Sequence, residues 1–263
     1  MKLNITEYVP TLNEFLKKNK DNTDPMIKTI VNDFYDFPES ANDKDESANL
    51  FKNQRDILLK SANQRINDII MVNRYALVVY NSNVEQIAPF LKKENPQYDE
   101  FCNIFMEQSE DIPIEEARLS RNFDTVCEIY NARKIADEGM IVHLWATIEQ
   151  HVNKAFLIMG GDESRLSYRW NQLKDGFTEL GVTLETLPSY KTIDEIRVVN
   201  NKIKHLYIVD DELCKYDGFA KYKGKKMSLL DYRTHDYALA AHHFINRLVM
   251  NMGPTISYGH GCE

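Results

Sequence analysis

Apolar residues recur at helical spacing along most of this chain of 263 residues. The clearest stretch is MIVHLWATIEQHVNKAFLIM at 140–159, which Gly160 and Gly161 follow as a helix stop signal. One stripe along it consists of Val142, Trp145, Glu149, Val152 and Phe156. Glycine and proline number only 10 and 8, which disfavours a fold with many tight turns. The pattern predicts an all-α protein.

The same periodicity places further helices at 24–37, about 48–80, 114–139, 164–181, 189 to about 209 and 234–252, with two short helices on either side of Pro96. Gly139 marks an end or a bend before 140–159. The inner side of the long 48–80 helix is predicted to carry Leu50, Ile57, Ala62, Ile66, Ile69 and Asn73.

Three parts are predicted along the chain: an N-terminal helical region at 1–110, a helical bundle at 111–253 and a C-terminal tail at 254–263. DGFAKYKGKKMSLL, at 217–230, predicts a small hairpin insertion or a long loop between the last two helices of the bundle.

Composition narrows the function classes. A formal net charge of −8 opposes sequence-independent attraction to nucleic acid, so an RNA contact would need a local basic patch. The chain has no apolar run long enough for a membrane span and no apolar leader, which predicts a cytoplasmic protein without a membrane partner. Its four cysteines lack metal-ligand spacing, so we expect reduced thiols. Motifs for dinucleotide binding, Walker-type phosphate binding and α/β-hydrolase chemistry are absent from the sequence.

The stretch RVVNNKIKH, at 197–205, places a polar strip beside the apolar face of its predicted helix. Arg197, Asn201 and His205 fall at i, i+4 and i+8, and Asn200 and Lys204 form a second pair between this strip and the core. A histidine can move protons near neutral pH, an arginine can neutralise a phosphate, and an amide can fix a hydroxyl group. These residue types suit cleavage of a phosphate ester.

A helix that ends in N-x-x-x-H, preceded by the apolar helix VHLWATIEQHVNKAF, resembles the HEPN superfamily over roughly 112–252. The resemblance implies a HEPN-like helical bundle that dimerises through the helix bearing an R-N-x-x-x-H type of motif. It also implies a metal-independent endoribonuclease that produces a 2′,3′-cyclic phosphate, often as a toxin or an anti-phage effector. The histidine and arginine of both subunits would line a shared cleft.

Transferred to this chain, Asn201 matches the asparagine of the motif and His205 matches its histidine, whereas Asn200 occupies the place of the arginine. The expected catalytic residues are therefore His205, Asn201 and, as the replacement cation, Arg197. Asn200, Lys204 and Glu149 are expected to support them. Lys204 is predicted to pair with Glu149, which could also serve as the structural partner of an arginine.

The departure at Asn200 leaves a second function open, a non-catalytic HEPN-like module that binds a partner protein or a nucleotide. A third reading is a regulator whose N-terminal helices hold the bundle inactive. The expected partners are RNA and a second copy of the chain, with an antitoxin or a regulatory protein as a further candidate.

Lysines and a tyrosine follow this helix in a composition that suits single-stranded RNA. The predicted RNA-binding residues are Lys221, Tyr222, Lys223, Lys225 and Lys226. The alternative is an exposed hairpin whose lysines discourage edge pairing. His143, His151, His242 and His243 lack ligand spacing and are expected to be structural, so neither a metal nor a cofactor is predicted.

Overall fold

The computed structural model describes residues 5–35, 46–94, 114–166 and 169–253. Seven α-helices account for the regular structure of these ranges together with short 3-10 turns, which confirms the all-α prediction. They are α1 (Leu12–Asn19), α2 (Pro25–Tyr35), α3 (Glu46–Glu94), α4 (Ile114–Ile158), α5 (Trp170–Glu179), α6 (Tyr190–Lys204) and α7 (Thr234–Asn251). None of the helices in these ranges has the length and apolarity needed to cross a membrane.

Helices α3 and α4 form a long antiparallel hairpin. Asn73 Nδ2 donates to Asp137 Oδ1 at 3.2 Å, and Ser61 Oγ lies 3.4 Å from His151 Nε2 nearer the other end. Helix α4 runs unbroken through Gly139, so the helix end predicted there is wrong. A Cβ at Gly139 would meet no atom within 4 Å.

The predicted inner side of the long helix is only partly correct. Ala62, Ile66, Ile69 and Asn73 are buried, whereas Leu50 and Ile57 are 60% and 67% exposed. The buried stripe passes instead through Leu58 and Leu59. Helix α3 carries apolar residues on more than one side, and its packing against α4 and α7 determines which side is buried.

The main core is continuous across most of the described helices. It includes Val9, Ile66 of α3, Leu144 of α4, Ile196 of α6 and Phe244 of α7, so residues before and after position 110 share one core. Towards the other end of the hairpin, α3 and α4 pack around a small separate cluster of Tyr80, Val84 and Ile129. Helix α3 continues through 86–94, so the separate short helix predicted before Pro96 is wrong. The short helix predicted after Pro96 and the predicted tail at 254–263 lie outside the described residues.

Helix α6 is shorter than predicted and ends at Lys204, so His205 stands at its C-cap. Tyr207 has a left-handed backbone (φ 52°), and its N–H donates to the carbonyl of Lys202 at 2.7 Å, which turns the chain away from the helix axis. Lys202 is buried and fixes the following loop through Asp210 at 2.6 Å and Glu212 at 2.7 Å. The backbone hydrogen bond from Tyr207 ends the helix before Leu206, although the apolar spacing predicted that the helix continues. Leu206 is 61% exposed.

The segment 217–230 is a loop with 3-10 turns at Ala220–Tyr222 and Met227–Leu229, and not a hairpin. Its backbone pairs with the chain that leaves α6. Gly224 N donates to Val209 O at 2.8 Å, Val209 N donates to Lys225 O at 3.0 Å, and Ile208 and Lys226 form an isolated antiparallel bridge. The segment therefore combines the short-range backbone hydrogen bonds of its own turns with partners outside itself, and the sequence of 217–230 does not display those outside partners.

Candidate functional site

An open cleft of about 460 Å³ lies where α4, the start of α5 and α6 meet. Helix α4 contributes two residues four positions apart, the start of α5 contributes four consecutive residues, and α6 contributes two residues four positions apart. The lining residues are Trp145, Glu149, Arg169, Trp170, Asn171, Gln172, Arg197 and Asn201. Three residues predicted for the site, Glu149, Arg197 and Asn201, thus meet in one cavity.

Two tryptophans form the apolar part of the cleft wall. Trp145 and Trp170 pack edge to face, with ring centroids 5.1 Å apart and planes at 70°. The Trp170 Nε1–H donates to Tyr190 Oη at 3.4 Å, which ties the start of α5 to the start of α6. Both indoles are buried and belong to the main core, so they give the cleft a rigid floor.

The guanidinium group of Arg197 is held in place by a carboxylate. Arg197 Nε donates to Asp194 Oδ1 at 2.8 Å, and Tyr216 Oη donates to Asp194 Oδ2 at 2.5 Å. Burial alone would lower the pKa of Arg197, but the hydrogen bond and charge of Asp194 outweigh it and raise that pKa. The two Nη groups of Arg197 make no hydrogen bond within the described ranges. Arg197 therefore presents a permanent, oriented positive charge at the cleft.

Glu149 is the acidic residue of the cleft. It is half-buried, and its carboxylate accepts no hydrogen bond from any residue that the structure describes. Burial raises the pKa of Glu149, while the positive charge of Lys204 partly opposes that rise. Lys204 thus acts on Glu149 through space, and the predicted direct ion pair is not among those formed in the described parts of the chain. The carboxylate stays available to a ligand.

The two asparagines of the motif have different environments. Asn200 is 1% exposed and points into the core side of α6, where its Oδ1 has no hydrogen-bond partner among the described residues. Its Nδ2 donates to Asn201 Oδ1 at 3.3 Å. Asn201 is exposed and keeps its Nδ2 for the cleft that it lines. Asn200 therefore orients Asn201 and is not itself a lining residue.

His205 does not line the cleft. It is exposed at the C-cap of α6, and its backbone N–H donates to the backbone carbonyl of Asn201 at 3.1 Å. His205 therefore lies one helical turn beyond Asn201, whose side-chain amide lines the cleft. Arg197, Asn201 and Glu149 therefore line one cleft within a single protomer. The imidazole of His205 lies outside this lining, at the C-terminal end of α6.

The predicted RNA-binding residues lie together on the loop after α6. Lys221 and Lys225 sit over the Tyr222 ring, with Nζ at 5.0 and 6.0 Å from its centroid. Lys223 Nζ is paired with Asp211 Oδ1 at 2.5 Å, which neutralises part of the patch. Lys226 is exposed, although its backbone is bridged to Ile208. The patch is exposed but partly balanced by acidic neighbours.

Three of the four histidines predicted to be structural have protein partners, whereas His143 is exposed on α4. His151 Nδ1 lies 2.8 Å from the Thr147 carbonyl, His242 Nδ1 lies 2.7 Å from Asn63 Oδ1, and His243 Nε2 lies 2.7 Å from Asp33 Oδ2. In the described ranges, no group of three His, Cys, Asp or Glu side chains is arranged to hold a metal ion.

Sequence reasoning missed the contribution of α5 to the site. Arg169, Asn171 and Gln172 are exposed polar residues around Trp170, and RWNQ at the start of a helix was the available signal. It also missed Asp194, whose i, i+3 spacing to Arg197 could have indicated the ion pair. Tyr216 could not be found in this way, because only the tertiary structure brings it to Asp194.

Comparisons with protein-family models, with curated proteins and with solved structures found no match for this chain. The chemistry of the cleft must therefore be argued from its own residues.

Proposed function

We propose that this protein is a HEPN-like endoribonuclease that binds RNA in the cleft and cleaves it without a metal ion. A toxin or an anti-phage effector acting in the cytoplasm is the role that fits such an activity. The observation that carries the proposal is the meeting of Arg197, Asn201 and Glu149 in one open cleft.

Two arginines supply the cationic groups of the cleft, beside the acidic Glu149. The chain as a whole carries a net charge of −8, yet two arginines, Arg169 and Arg197, line this cavity. Arg197 is already oriented by Asp194, so little conformational freedom is lost when it binds a phosphate. Amide groups beside it can hold a phosphate or ribose oxygen. Together they favour a phosphate-bearing ligand such as an RNA strand.

The proposed reaction is attack of a ribose 2′-oxygen on the adjacent phosphorus. The O2′–P bond forms and the P–O5′ bond breaks, while a base takes the 2′-hydroxyl proton and an acid gives a proton to the leaving 5′-oxygen. Arg197 stabilises the negative charge that develops on the phosphate, an effect that is worth about 3–4 kcal/mol for comparable donors. His205 is the proposed proton carrier. In a homodimer a second copy of α6 would supply it to the shared cleft.

A non-catalytic binding module is the second candidate. It is favoured by the exposed position of His205 outside the cleft lining and by the buried Asn200 in the place of the motif arginine. In that case the cleft binds an RNA strand or a nucleotide and releases it unchanged.

The test is incubation of the purified protein with total RNA or tRNA in EDTA, with end-group analysis of the products. We expect fragments that carry 2′,3′-cyclic phosphates. His205→Ala and Arg197→Ala should each reduce cleavage by roughly two orders of magnitude, the scale of removing one transition-state contact. Arg65→Ala is the matched control, because Arg65 is an exposed arginine of α3 outside this cleft.

The outcomes separate the candidates. RNA that is bound but left intact by the wild type would favour the binding module. Cleavage that survives both His205→Ala and Arg197→Ala would refute the assignment of residues. If Lys204→Ala abolishes cleavage in a folded protein while Arg197→Ala has no effect, Lys204 is the replacement cation. Light scattering that shows a monomer at micromolar concentration would contradict the shared cleft.

A further inference from the structure

Glu149 is the feature of the cleft that a phosphate ligand alone does not explain. Its carboxylate lies in the same cavity as two arginines, and it makes neither an ion pair nor a hydrogen bond with the described residues. Glu149 is half-buried, and this burial raises the pKa of its carboxyl group, so the carboxylate is partly desolvated. Two oxygen atoms on one planar group match a ligand edge that carries two adjacent N–H donors.

The rest of the cleft presents donors. Arg197 has its Nε bound to Asp194, which leaves the Nη groups for a ligand, and Asn201 has its Oδ1 bound by Asn200, which leaves the Nδ2 group. Trp145 and Trp170 give an apolar floor. The cleft thus combines one acceptor pair, several donors and an apolar floor of two indoles, and these can recognise a base as well as a phosphate.

Only one standard RNA base has the complementary pattern. Guanine carries adjacent donors at N1–H and N2–H₂ on one edge, and acceptors at O6 and N7 on the other. Cytosine and adenine each offer one amino group beside a ring nitrogen lone pair, which would repel the second carboxylate oxygen. Uracil has a single N–H between two carbonyl oxygens.

We infer that the cleft selects guanine, with Glu149 accepting from N1–H and N2–H₂ and with Arg197 or Asn201 donating to O6, N7 or the neighbouring phosphate. This inference rests on the proposed RNA ligand and adds the identity of the base. It assigns Glu149 to base recognition and leaves proton transfer to other residues.

The test uses fluorescently labelled RNA octamers of uridine with one central 2′-deoxynucleotide, which removes the attacking hydroxyl group and blocks cleavage at that position. The central base is guanine, hypoxanthine, adenine, cytosine or uracil, and binding is measured by fluorescence anisotropy. We expect the guanine octamer to bind most tightly. Hypoxanthine lacks only the N2 amino group, so its octamer should bind about tenfold more weakly, the scale of one hydrogen bond to a charged group.

Glu149→Gln should remove most of the difference between guanine and hypoxanthine, because one carboxylate oxygen becomes an amide donor. Glu128→Gln is the matched control: it makes the same change at an exposed position of α4 and should keep the full difference. Circular dichroism and unfolding curves establish that both variants are folded.

If all five octamers bind alike, or if Glu149→Gln keeps the preference for guanine, the guanine assignment is wrong while the proposed RNA ligand stands. If none of the octamers binds, and total RNA is neither bound nor cleaved, the proposed function fails and the guanine assignment fails with it. Binding of total RNA without binding of any octamer would also overturn the assignment. It would mean that the protein recognises folded RNA structure rather than a single base.

Discussion

His242 makes the stability of this protein sensitive to acid. The side chain is 2% exposed on α7, and Nδ1 lies 2.7 Å from Asn63 Oδ1, an atom that can only accept. The proton of the neutral ring is therefore on Nδ1, and Nε2 has no partner within the described residues. Burial lowers the pKa of His242 from 6.5 to about 3. Protonation thus favours the unfolded chain, where the ring keeps an ordinary pKa.

The size of the effect follows from linkage. The contribution of the neutral His242 ring to the free energy of unfolding is fully present above the unfolded pKa of 6.5. It is lost progressively as the pH falls towards the folded pKa of about 3. Each pH unit below the unfolded pKa costs about 1.4 kcal/mol, so acidification from pH 7.5 to pH 5 removes about 2 kcal/mol of unfolding free energy through His242 alone. This figure requires only that the folded pKa lie well below the lower pH of the experiment.

The assay is urea unfolding at pH 7.5 and pH 5, at equal ionic strength, for the wild type and His242→Gln. The amide keeps an N–H that can donate to Asn63 but does not titrate, so the variant should lose about 2 kcal/mol less than the wild type between the two pH values. His235→Gln, at an exposed position of the same helix, is the control and should behave like the wild type. Equal losses for the wild type and His242→Gln would refute the reasoning.

Four further predictions concern local structure, and urea unfolding measures each of them. Gly139→Ala should stabilise the protein by about 0.5–1 kcal/mol, because it replaces a mid-helix glycine and its Cβ would meet no atom within 4 Å. Gly176→Ala should destabilise it by about 1–3 kcal/mol, because its Cβ would lie 2.8 Å from the Phe156 ring; equal effects of the two changes would contradict this packing. Burial raises the pKa of Glu149, so ionisation opposes folding above the unfolded pKa, and Glu149→Gln should raise the urea midpoint at pH 7 and leave it unchanged near pH 4. Lys202→Met should lose about 1–2 kcal/mol, since two partly exposed carboxylates lose their shared cation; an unchanged midpoint would show that the ion pairs contribute little.

The sequence by itself determined the helical class and most of the helix positions. Apolar spacing found the helix that contains 140–159, and the stop at Gly160 is confirmed by its left-handed backbone (φ 85°). Asp24 was part of a start signal for α2, and its Oδ1 accepts the N–H of Met26 at 2.8 Å. These features depend on neighbours within one or two turns of helix, which the sequence displays directly.

The sequence also identified part of the candidate site. Arg197 and Asn201 share one side of α6 because four residues make about one helical turn, and Glu149 was conspicuous as a carboxylate on an apolar stripe. His205 was assigned to the same strip by the same spacing. Helix α6 ends at Lys204, one residue before His205. The turn at Tyr207 therefore places His205 at the end of the helix and outside the cleft lining.

Only the tertiary structure decided which distant elements meet at the cleft. The packing of Trp145 against Trp170 brings the start of α5 beside α4, and the loop after α6 brings Tyr216 to Asp194. Likewise, the backbone of 224–227 pairs with that of residues 207–209, in addition to the short-range hydrogen bonds within 217–230. Such contacts depend on which surfaces bury together across many residues of separation, and local spacing carries no information about that choice.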